Sequence, residues 1–217
     1  MVLELWLIRH GVTDWNAQGR IQGAADEPLN AEGVSQAKRL AARLIGTRFE
    51  AVYASDLRRA HDTARHALPG AQVQLDPRLR ELAYGVLEGK TWAELDPESS
   101  ALARHWQEDP YTRRVPGGES YQDLVNRFRA FQSSLPAEGR VAAFTHGGTI
   151  RSAVYDVVGR PNGRPWRITV DNTSITRLRF DERGVALVTV NDHAHLSNGM
   201  LTTRASSQAT TATPAGR

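Results

Sequence analysis

The chain has no cysteine among its 217 residues, which excludes disulfide bonds, cysteine nucleophiles and thiolate metal sites. Long apolar runs are also missing, since no stretch approaches the roughly 20 apolar residues that a membrane span requires. Glu4 lies inside the first apolar run and no basic stretch precedes it, so a signal peptide is not indicated. We therefore expect a cytoplasmic protein whose apolar residues, 40% of the chain, form one core.

Lysine is scarce as well, because only Lys38 and Lys90 occur, and the formal net charge is +3. The other basic side chains are arginines interspersed with acidic residues. A nucleic-acid-binding domain usually concentrates its positive charge on one face or in one run. We therefore expect neither a nucleic-acid nor a membrane partner. The sequence leaves the choice between a monomer and a homodimer open.

Strand-like and helix-like segments alternate along the chain, which is typical of a mostly parallel sheet covered by helices on both faces. Strands are predicted at 2–8, 51–54, 73–75 and 141–145, and helices at 30–45, 57–67, 120–135 and 150–158. Segments 175–180 and 185–190 predict an antiparallel hairpin at a sheet edge. The expected fold is α/β: a three-layer α/β/α sandwich with a mostly parallel central sheet, one antiparallel edge strand and a small helical roof segment.

Three regions lack a clear pattern. Residues 12–28 read as a polar loop, and residues 82–118 form the less regular roof segment. The aromatic residues of that segment are expected to pack together rather than to form a ligand cage; they are Tyr84, Trp92, Trp106 and Tyr111. Residues 199–217 are rich in threonine, alanine and serine, which predicts a flexible tail after a catalytic domain at 1–198.

Two histidines follow two predicted strands directly. Arg9-His10-Gly11 closes the first apolar run, and His146-Gly147-Gly148 closes the run at 141–145. Because ligands of open α/β sheets bind where strands end and helices begin, neighbouring parallel strands would place the two imidazoles side by side. Imidazoles, an arginine and backbone N–H groups at a helix start suit a phosphoryl group. The sequence therefore predicts a phosphate pocket.

Phosphoryl transfer also needs a nucleophile, positive charge on the phosphoryl oxygens and a proton for the leaving group. A ring nitrogen of His10 can act as the nucleophile. Arg58 and Arg59 open a helix after a strand and are therefore expected near the same crevice. Either Glu81 or Glu88 can supply the proton, and the residues alone do not decide between them.

Six segments, in order, resemble the histidine phosphatase superfamily, phosphoglycerate-mutase-like branch, over residues 5–196. They are LIRHGVTDWN at 7–16, GRIQG at 19–23 with Asp26 and Pro28-Leu29, SDLRRA at 55–60 with Thr63-Ala64, LREL at 79–82 with Gly85 and Glu88-Gly89, GGES at 117–120, and THGGTIR at 145–151. An isolated Arg-His-Gly would carry little weight, whereas six segments in family order are a specific signal.

The resemblance implies a role for each matching residue. His10 becomes phosphorylated, and Glu81, rather than Glu88, donates the proton. The implied phosphate pocket consists of Arg9, Arg59, His146, Asn16 and the backbone of Gly147. A loop that contacts ligand in relatives corresponds to Arg20, Gln22 and Gly23, which is the least specific part of the match.

The resemblance implies a metal-independent phosphatase of the histidine acid type, without a cofactor, acting on a small-molecule phosphomonoester. A cofactor-dependent phosphoglycerate mutase is the first alternative, but such relatives carry an added basic segment after the proton donor, whereas the stretch at 81–117 here is short, aromatic and partly acidic. An inactive phospho-ligand or protein-binding module is the second alternative. His193 and His195 have the spacing of metal ligands, but no third ligand is apparent, so we expect loop or surface histidines.

Overall fold

The computed structural model describes residues 1–159 and 168–196, so the predicted tail at 199–217 lies outside the described residues. Its six strands are β1 (Leu3–Arg9), β2 (Ala51–Ala54), β3 (Val73–Leu75), β4 (Gly139–Thr145), β5 (Ile175–Asp181) and β6 (Gly184–Asp192). They form one sheet in the order β3-β2-β4-β1-β5-β6. Strands β1 to β4 pair in parallel, and β5 pairs antiparallel with β1 and β6. The predicted sheet, with its antiparallel hairpin at one edge, is confirmed.

Helices cover both faces of this sheet: α2 (Ala31–Leu44) and α3 (Arg58–Ala67) lie on one face, and α5 (Tyr121–Gln132) and α6 (Gly147–Val158) lie on the other. Two further helices are α1 (Asp14–Gln18) and α4 (Pro97–Glu108). Side chains of β1 alternate between the two faces, with Leu5 and Leu7 packed against α5 and α6 and with Trp6 and Ile8 packed against α2 and α3. This alternation produces the three layers that the sequence predicts.

Local capping accounts for the predicted helix starts. The side chain of Asn30 accepts a hydrogen bond from the backbone N–H of Gly33 at the start of α2. Ser120 and Asp123 form a reciprocal capping box at the start of α5. Both helices begin where the sequence predicts, because these caps depend only on residues three apart.

Several predicted boundaries were wrong. Helix α1 lies inside the predicted loop at 12–28, and its single turn is too short to produce a periodic pattern. Helix α4 lies inside the roof segment, where Pro97 occupies a first-turn position and the Asp96 side chain accepts from the N–H of Ser99. Helix α5 ends at Gln132 rather than at 135, and α6 begins at Gly147 rather than at 150.

The roof segment encloses a small apolar cluster of its own beside α5. The ring of Trp106 lies 5.6 Å from that of Tyr84 and 6.1 Å from that of Tyr121. The ring of Tyr111 also contacts Tyr121. The aromatic residues thus pack against each other as expected, except Trp92, which is 36% exposed. No helix within the described ranges combines the length and apolar character needed to cross a bilayer.

Candidate active site

The pairing of β1 with β4 places the two strand-end histidines next to each other. Arg9 is in register with Thr145, so His10 and His146 each follow the last paired residue of adjacent parallel strands. Their ring centroids lie 5.1 Å apart. Both side chains are buried, with exposures of 3% for His10 and 0% for His146. The predicted juxtaposition of the two imidazoles is therefore present.

A backbone contact determines which nitrogen of His10 can react. Nδ1 of His10 lies 2.7 Å from the carbonyl oxygen of Gly11. A carbonyl oxygen can only accept, so Nδ1 must carry the proton and donate. The lone pair of the neutral ring then lies on Nε2, which is available for bonding to phosphorus.

Arg59 and Arg9 bring two cations to the imidazoles. Arg59, in the first turn of α3, is fully buried, and its Nη atoms donate to the carbonyl oxygens of Gly23 and Ala25 at 2.8 and 2.6 Å. Arg9 donates from Nη1 to the carbonyl oxygen of Val170 at 2.6 Å. Carbonyl partners orient each guanidinium without neutralising it, so both positive charges remain available to an anion.

Buried nitrogen atoms without a partner are concentrated here. Seven buried side-chain nitrogen or oxygen atoms of the described residues have no hydrogen-bond partner. Four of them are Nε of Arg9, Nε of Arg59, and Nδ1 and Nε2 of His146. Because buried polar groups are nearly always paired in native proteins, such a concentration indicates that a polar ligand completes the site.

Electrostatics keep the imidazoles neutral. Burial, together with the nearby Arg59 and Arg9 cations, holds the pKa of His10 well below its usual range. Burial and the Arg59 cation have the same effect on the pKa of His146. Burial also lowers the pKa of both Arg9 and Arg59 to about 10, so they remain cationic at neutral pH. The site therefore combines neutral imidazoles with fixed positive charge.

The Glu81 carboxylate lies at the N-terminus of α6. Oε2 accepts from the backbone N–H of Gly148 at 2.9 Å, and Oε1 accepts from the N–H of Leu82 at 2.8 Å. A Cβ on Gly148 would lie 2.1 Å from Oε1 of Glu81, so only glycine allows this approach. Gly148 therefore has a steric role that the sequence did not reveal, beside Gly147, for which the sequence predicted a backbone contact to phosphate.

Glu88, the alternative proton donor, is used differently. Its Oε1 accepts from the backbone N–H groups of Ala24 and Tyr84, at 2.9 and 2.8 Å. The carboxylate thus joins the 19–25 loop to the roof segment. This structural task makes Glu81 the better candidate for the acid.

Asn16 and Gln22 both contact Thr13, three residues after His10. Oδ1 of Asn16 accepts from the N–H of Thr13 at 3.1 Å, so its side-chain NH₂ group is the end left for a ligand. Gln22 is buried, and its Oε1 lies 3.0 Å from the Thr13 hydroxyl. Gly23 contributes the carbonyl that holds Arg59. Asn16 and Gln22 therefore meet at Thr13, and Gly23 contacts Arg59.

Arg20 is directed elsewhere. Its guanidinium donates to both carboxylate oxygens of Glu94, at 2.6 and 3.1 Å, and to the carbonyl of Gly89 at 2.7 Å. The side chain therefore ties the 19–23 loop to the roof segment. The structure does not bring Arg20 together with the two histidines, and its predicted ligand contact stays a prediction.

Two residues without a predicted role lie at the pocket. A Cβ on Gly147 would be 3.5 Å from the Arg151 guanidinium and 3.5 Å from Nε of Arg9, so both cations border the same glycine. Asn172 donates from Nδ2 to the carbonyl of His10 at 2.9 Å. Arg151 ends the motif at 145–151, which was its only sequence signal, whereas Asn172 had none.

The histidines near the end of the described chain were predicted to be loop or surface residues. His193 lies in a loop, whereas His195 lies in the short turn Ala194–Leu196 and is half-buried, with Nε2 3.1 Å from the Thr173 hydroxyl; burial lowers its pKa to about 4. His193 lies 3.4 Å from Asp171. Within residues 1–159 and 168–196, no group of three histidine, cysteine, aspartate or glutamate side chains is arranged to hold a metal ion.

Known proteins resemble this chain over most of its length. The family model "Histidine phosphatase superfamily (branch 1)" matches residues 5–193. The probable phosphoglycerate mutase GpmB of Enterobacter sp. (strain 638) is 37% identical over 186 residues, which are 83% of this chain and 86% of that protein.

Solved structures resemble the fold as well. The alpha-ribazole phosphatase from Shigella flexneri is 28% identical with a TM-score of 0.79, covering 88% of this chain and 96% of its own. Mycobacterial glucosyl-3-phosphoglycerate phosphatase is 30% identical with a TM-score of 0.74, covering 87% of this chain and 98% of its own. With paired strand-end histidines and a family match across nearly all described residues, this chain belongs to the histidine phosphatase superfamily.

Proposed function

We propose that this protein is a metal-independent phosphomonoesterase of the cytoplasm, which transfers the phosphoryl group of a small-molecule ester to His10 and then to water. The observation that carries the proposal is the set of unpartnered buried nitrogen atoms on Arg9, Arg59 and His146, beside the His10 ring. Phosphoryl oxygens are strong acceptors and suit such donors. No cofactor is required, since the side chains supply nucleophile, positive charge and acid.

The reaction has two steps that share one acid–base residue. In the first step, Nε2 of His10 attacks phosphorus, and the ester oxygen departs with a proton from Glu81. In the second step, water attacks the phosphohistidine while Glu81 takes its proton, and inorganic phosphate leaves. The Nδ1 contact with Gly11 supports attack by Nε2, because it leaves the lone pair of the neutral ring on that atom.

The arginines and His146 stabilise charge on the phosphoryl oxygens during both steps. Each well-placed donor contributes roughly 3 kcal/mol to the transition state, the scale known for single oxyanion donors. Burial strengthens these interactions because water does not screen them.

A phosphoglycerate mutase is the second candidate, because curated relatives at 34–37% identity bear that name. A mutase that holds a bisphosphorylated intermediate needs free cations in addition to those that bind the first phosphoryl group. Of the four lysine and arginine residues in the roof segment, Lys90, Arg113 and Arg114 form ion pairs with Asp96, Glu108 and Asp123 respectively, and Arg104 is exposed on α4. This pairing supports hydrolysis over phosphoryl return, in line with the phosphatases among the structural neighbours.

The test is release of inorganic phosphate from a panel of phosphomonoesters, including p-nitrophenyl phosphate and 3-phosphoglycerate, with excess chelator. Wild type, His10→Ala and a matched control, His66→Ala, are assayed in parallel. His66 is half-buried in the last turn of α3. We expect chelator-resistant turnover in wild type and control, its loss in His10→Ala, and an alkali-quenched phosphoenzyme only where His10 is present.

Two results would contradict the proposal. Interconversion of 2- and 3-phosphoglycerate faster than phosphate release would establish the mutase. Release from every ester no faster than in His10→Ala would support the inactive binding module instead.

A further inference from the structure

Glu81 lies in a segment without regular secondary structure, between the turn at Pro77–Leu79 and the roof segment. Two threonines hold the residues before it: the Thr145 hydroxyl donates to the carbonyl of Leu79 at 2.6 Å, and the Thr149 hydroxyl donates to the carbonyl of Arg80 at 2.8 Å. A catalytic acid on an irregular segment needs such contacts, because nothing in the segment itself maintains its path.

Arg127, on α5, is the main support of this segment. Its Nη1 donates to the carbonyls of Arg78 and Arg80, both at 2.7 Å, and its Nη2 donates to the carbonyl of Glu81 at 2.8 Å. Nε and Nη2 also donate to the two carboxylate oxygens of Glu119, each at 3.0 Å. All five N–H donors of the guanidinium are therefore engaged.

Glu119 completes the support on the other side of Glu81. Its Oε2 accepts from the backbone N–H of Ala83 at 3.1 Å, and its own N–H donates to the Ala83 carbonyl at 2.9 Å. The pair Arg127–Glu119 thus holds the chain both before and after the acid. Glu119 belongs to the GGES segment at 117–120, to which the proposed chemistry assigns no role.

We propose that Arg127 and Glu119 are positioning residues for Glu81, setting the distance between its carboxyl group and the leaving-group oxygen. This inference rests on the proposed function, in which Glu81 donates the proton. Proton transfer requires heavy atoms within about 2.6–3.2 Å, so a small shift of the segment removes the acid without disturbing the phosphate pocket. Neither residue touches substrate.

Arg129, two residues further along α5, provides a matched control. It forms a carboxylate pair with Asp156, as Arg127 does with Glu119, but 58% of its side chain is exposed. Its side chain donates to both carboxylate oxygens of Asp156, and neither hydrogen bond involves the Glu81 segment. A purely structural ion pair on this helix is therefore available for comparison.

Leaving-group dependence tests the inference. p-Nitrophenolate departs without a proton, whereas the alkoxide of glycerol 2-phosphate requires one. For Arg127→Met we expect kcat/KM to fall about 100-fold with glycerol 2-phosphate and less than about 3-fold with p-nitrophenyl phosphate, the former within the range of general-acid contributions. Arg127→Lys retains donors and should recover part of the alkyl-ester rate. Arg129→Met should leave both rates within about 2-fold.

Glu81→Gln, measured on the same two esters, separates the two proposals. If Glu81→Gln lowers the alkyl-ester rate selectively and Arg127→Met lowers both rates equally, the positioning role is overturned and the proposed function stands. If Glu81→Gln is not selective, the acid assignment fails and the positioning role fails with it. In the double variant, the alkyl-ester rate should equal that of Glu81→Gln alone, since an absent acid cannot be mispositioned.

Should Arg127→Met fail to fold, Glu119→Gln is the second variant. It keeps the shape and acceptor oxygen of Glu119 but removes the charge pair with Arg127. Retained turnover of p-nitrophenyl phosphate reports an intact pocket. A selective alkyl-ester loss supports the inference, and equal loss on both esters overturns it.

Discussion

Arginines in the strand-end pocket and in the roof segment differ in their burial and in the partners of their guanidinium groups. In the pocket, Arg59 is fully buried and donates to backbone carbonyls, and no carboxylate of the described residues forms an ion pair with it. In the roof segment, Arg114 has 60% of its side chain exposed and pairs with Asp123. The positive charge of Arg59 therefore remains available to an anion, whereas that of Arg114 is neutralised by Asp123.

This difference distinguishes the residues that we propose bind the phosphoryl group from those that contribute to packing and solubility. An uncompensated buried charge costs several kcal/mol of folding free energy, so we expect such a charge where an anion of the opposite sign binds. An exposed ion pair contributes about 0–1 kcal/mol. We therefore expect pocket variants to change activity far more than stability, and roof variants to change neither greatly.

The largest effect should follow from removing the pocket cation. Arg59→Met should lower kcat/KM for p-nitrophenyl phosphate by about 100- to 1,000-fold, the cost of one lost oxyanion donor. Arg58→Met is the control, since Arg58 is adjacent but exposed. Vanadate should raise the Tm of wild type and Arg58→Met but not that of Arg59→Met. Equal losses of kcat/KM in Arg59→Met and Arg58→Met would show that the buried pocket arginine and the exposed arginine do not differ in their effect on catalysis.

Glycine substitutions at the start of α6 should have a smaller and selective effect. Gly148→Ala places a methyl group 2.1 Å from Oε1 of Glu81 and should displace that carboxylate, lowering alkyl-ester turnover about 100-fold, as misplacement by about 1 Å does. Gly147→Ala places its methyl group 3.5 Å from Nε of Arg9 and from the Arg151 guanidinium, away from Glu81, so any loss of rate should be the same for alkyl and p-nitrophenyl esters. The same ester selectivity in both variants would show that Glu81 does not act from this position.

Acid should destabilise the protein through its buried histidines. Burial lowers the pKa of His10 and His146 in the folded state, so below pH 6.5 the unfolded chain binds more protons than the folded chain. The free energy of unfolding therefore decreases as the pH is lowered. Each such histidine contributes about 1.4 kcal/mol per pH unit. Half-buried His195, with a pKa lowered to about 4, contributes in the same direction.

Urea denaturation at pH 7 and pH 5 measures this effect. His146→Gln should reduce the loss of stability between the two pH values. The control, His105→Gln, changes a roof histidine with 61% side-chain exposure and should not. An unchanged pH dependence in His146→Gln would mean that this histidine titrates alike in both states.

The smallest effect should come from the roof. Arg114→Met removes the exposed pair with Asp123 and should cost less than about 1 kcal/mol of stability, with activity within about 2-fold. Thermal unfolding and phosphate release measure the two quantities. A large loss of activity would place this cation in substrate recognition and would favour the mutase.

Much of the architecture could be predicted because its signals are local. Continuous apolar runs located β1 and β4, and the caps at Asn30 and Ser120 located two helix starts. Helix α4 carried comparable signals in Asp96 and Pro97, but its neighbouring aromatic residues obscured the pattern. Helix α1 is a single turn and had no periodicity to detect.

The sequence by itself determined that two histidines follow two strands and that arginine, glycine and glutamate accompany them, because motif order is written along the chain. Tertiary structure alone decided which cations stay unpaired and which are neutralised. Arg20 pairs with Glu94, and Arg127 donates to the carbonyl of Glu81, 46 residues away. Such pairings depend on how helices pack against the sheet, which local sequence does not encode.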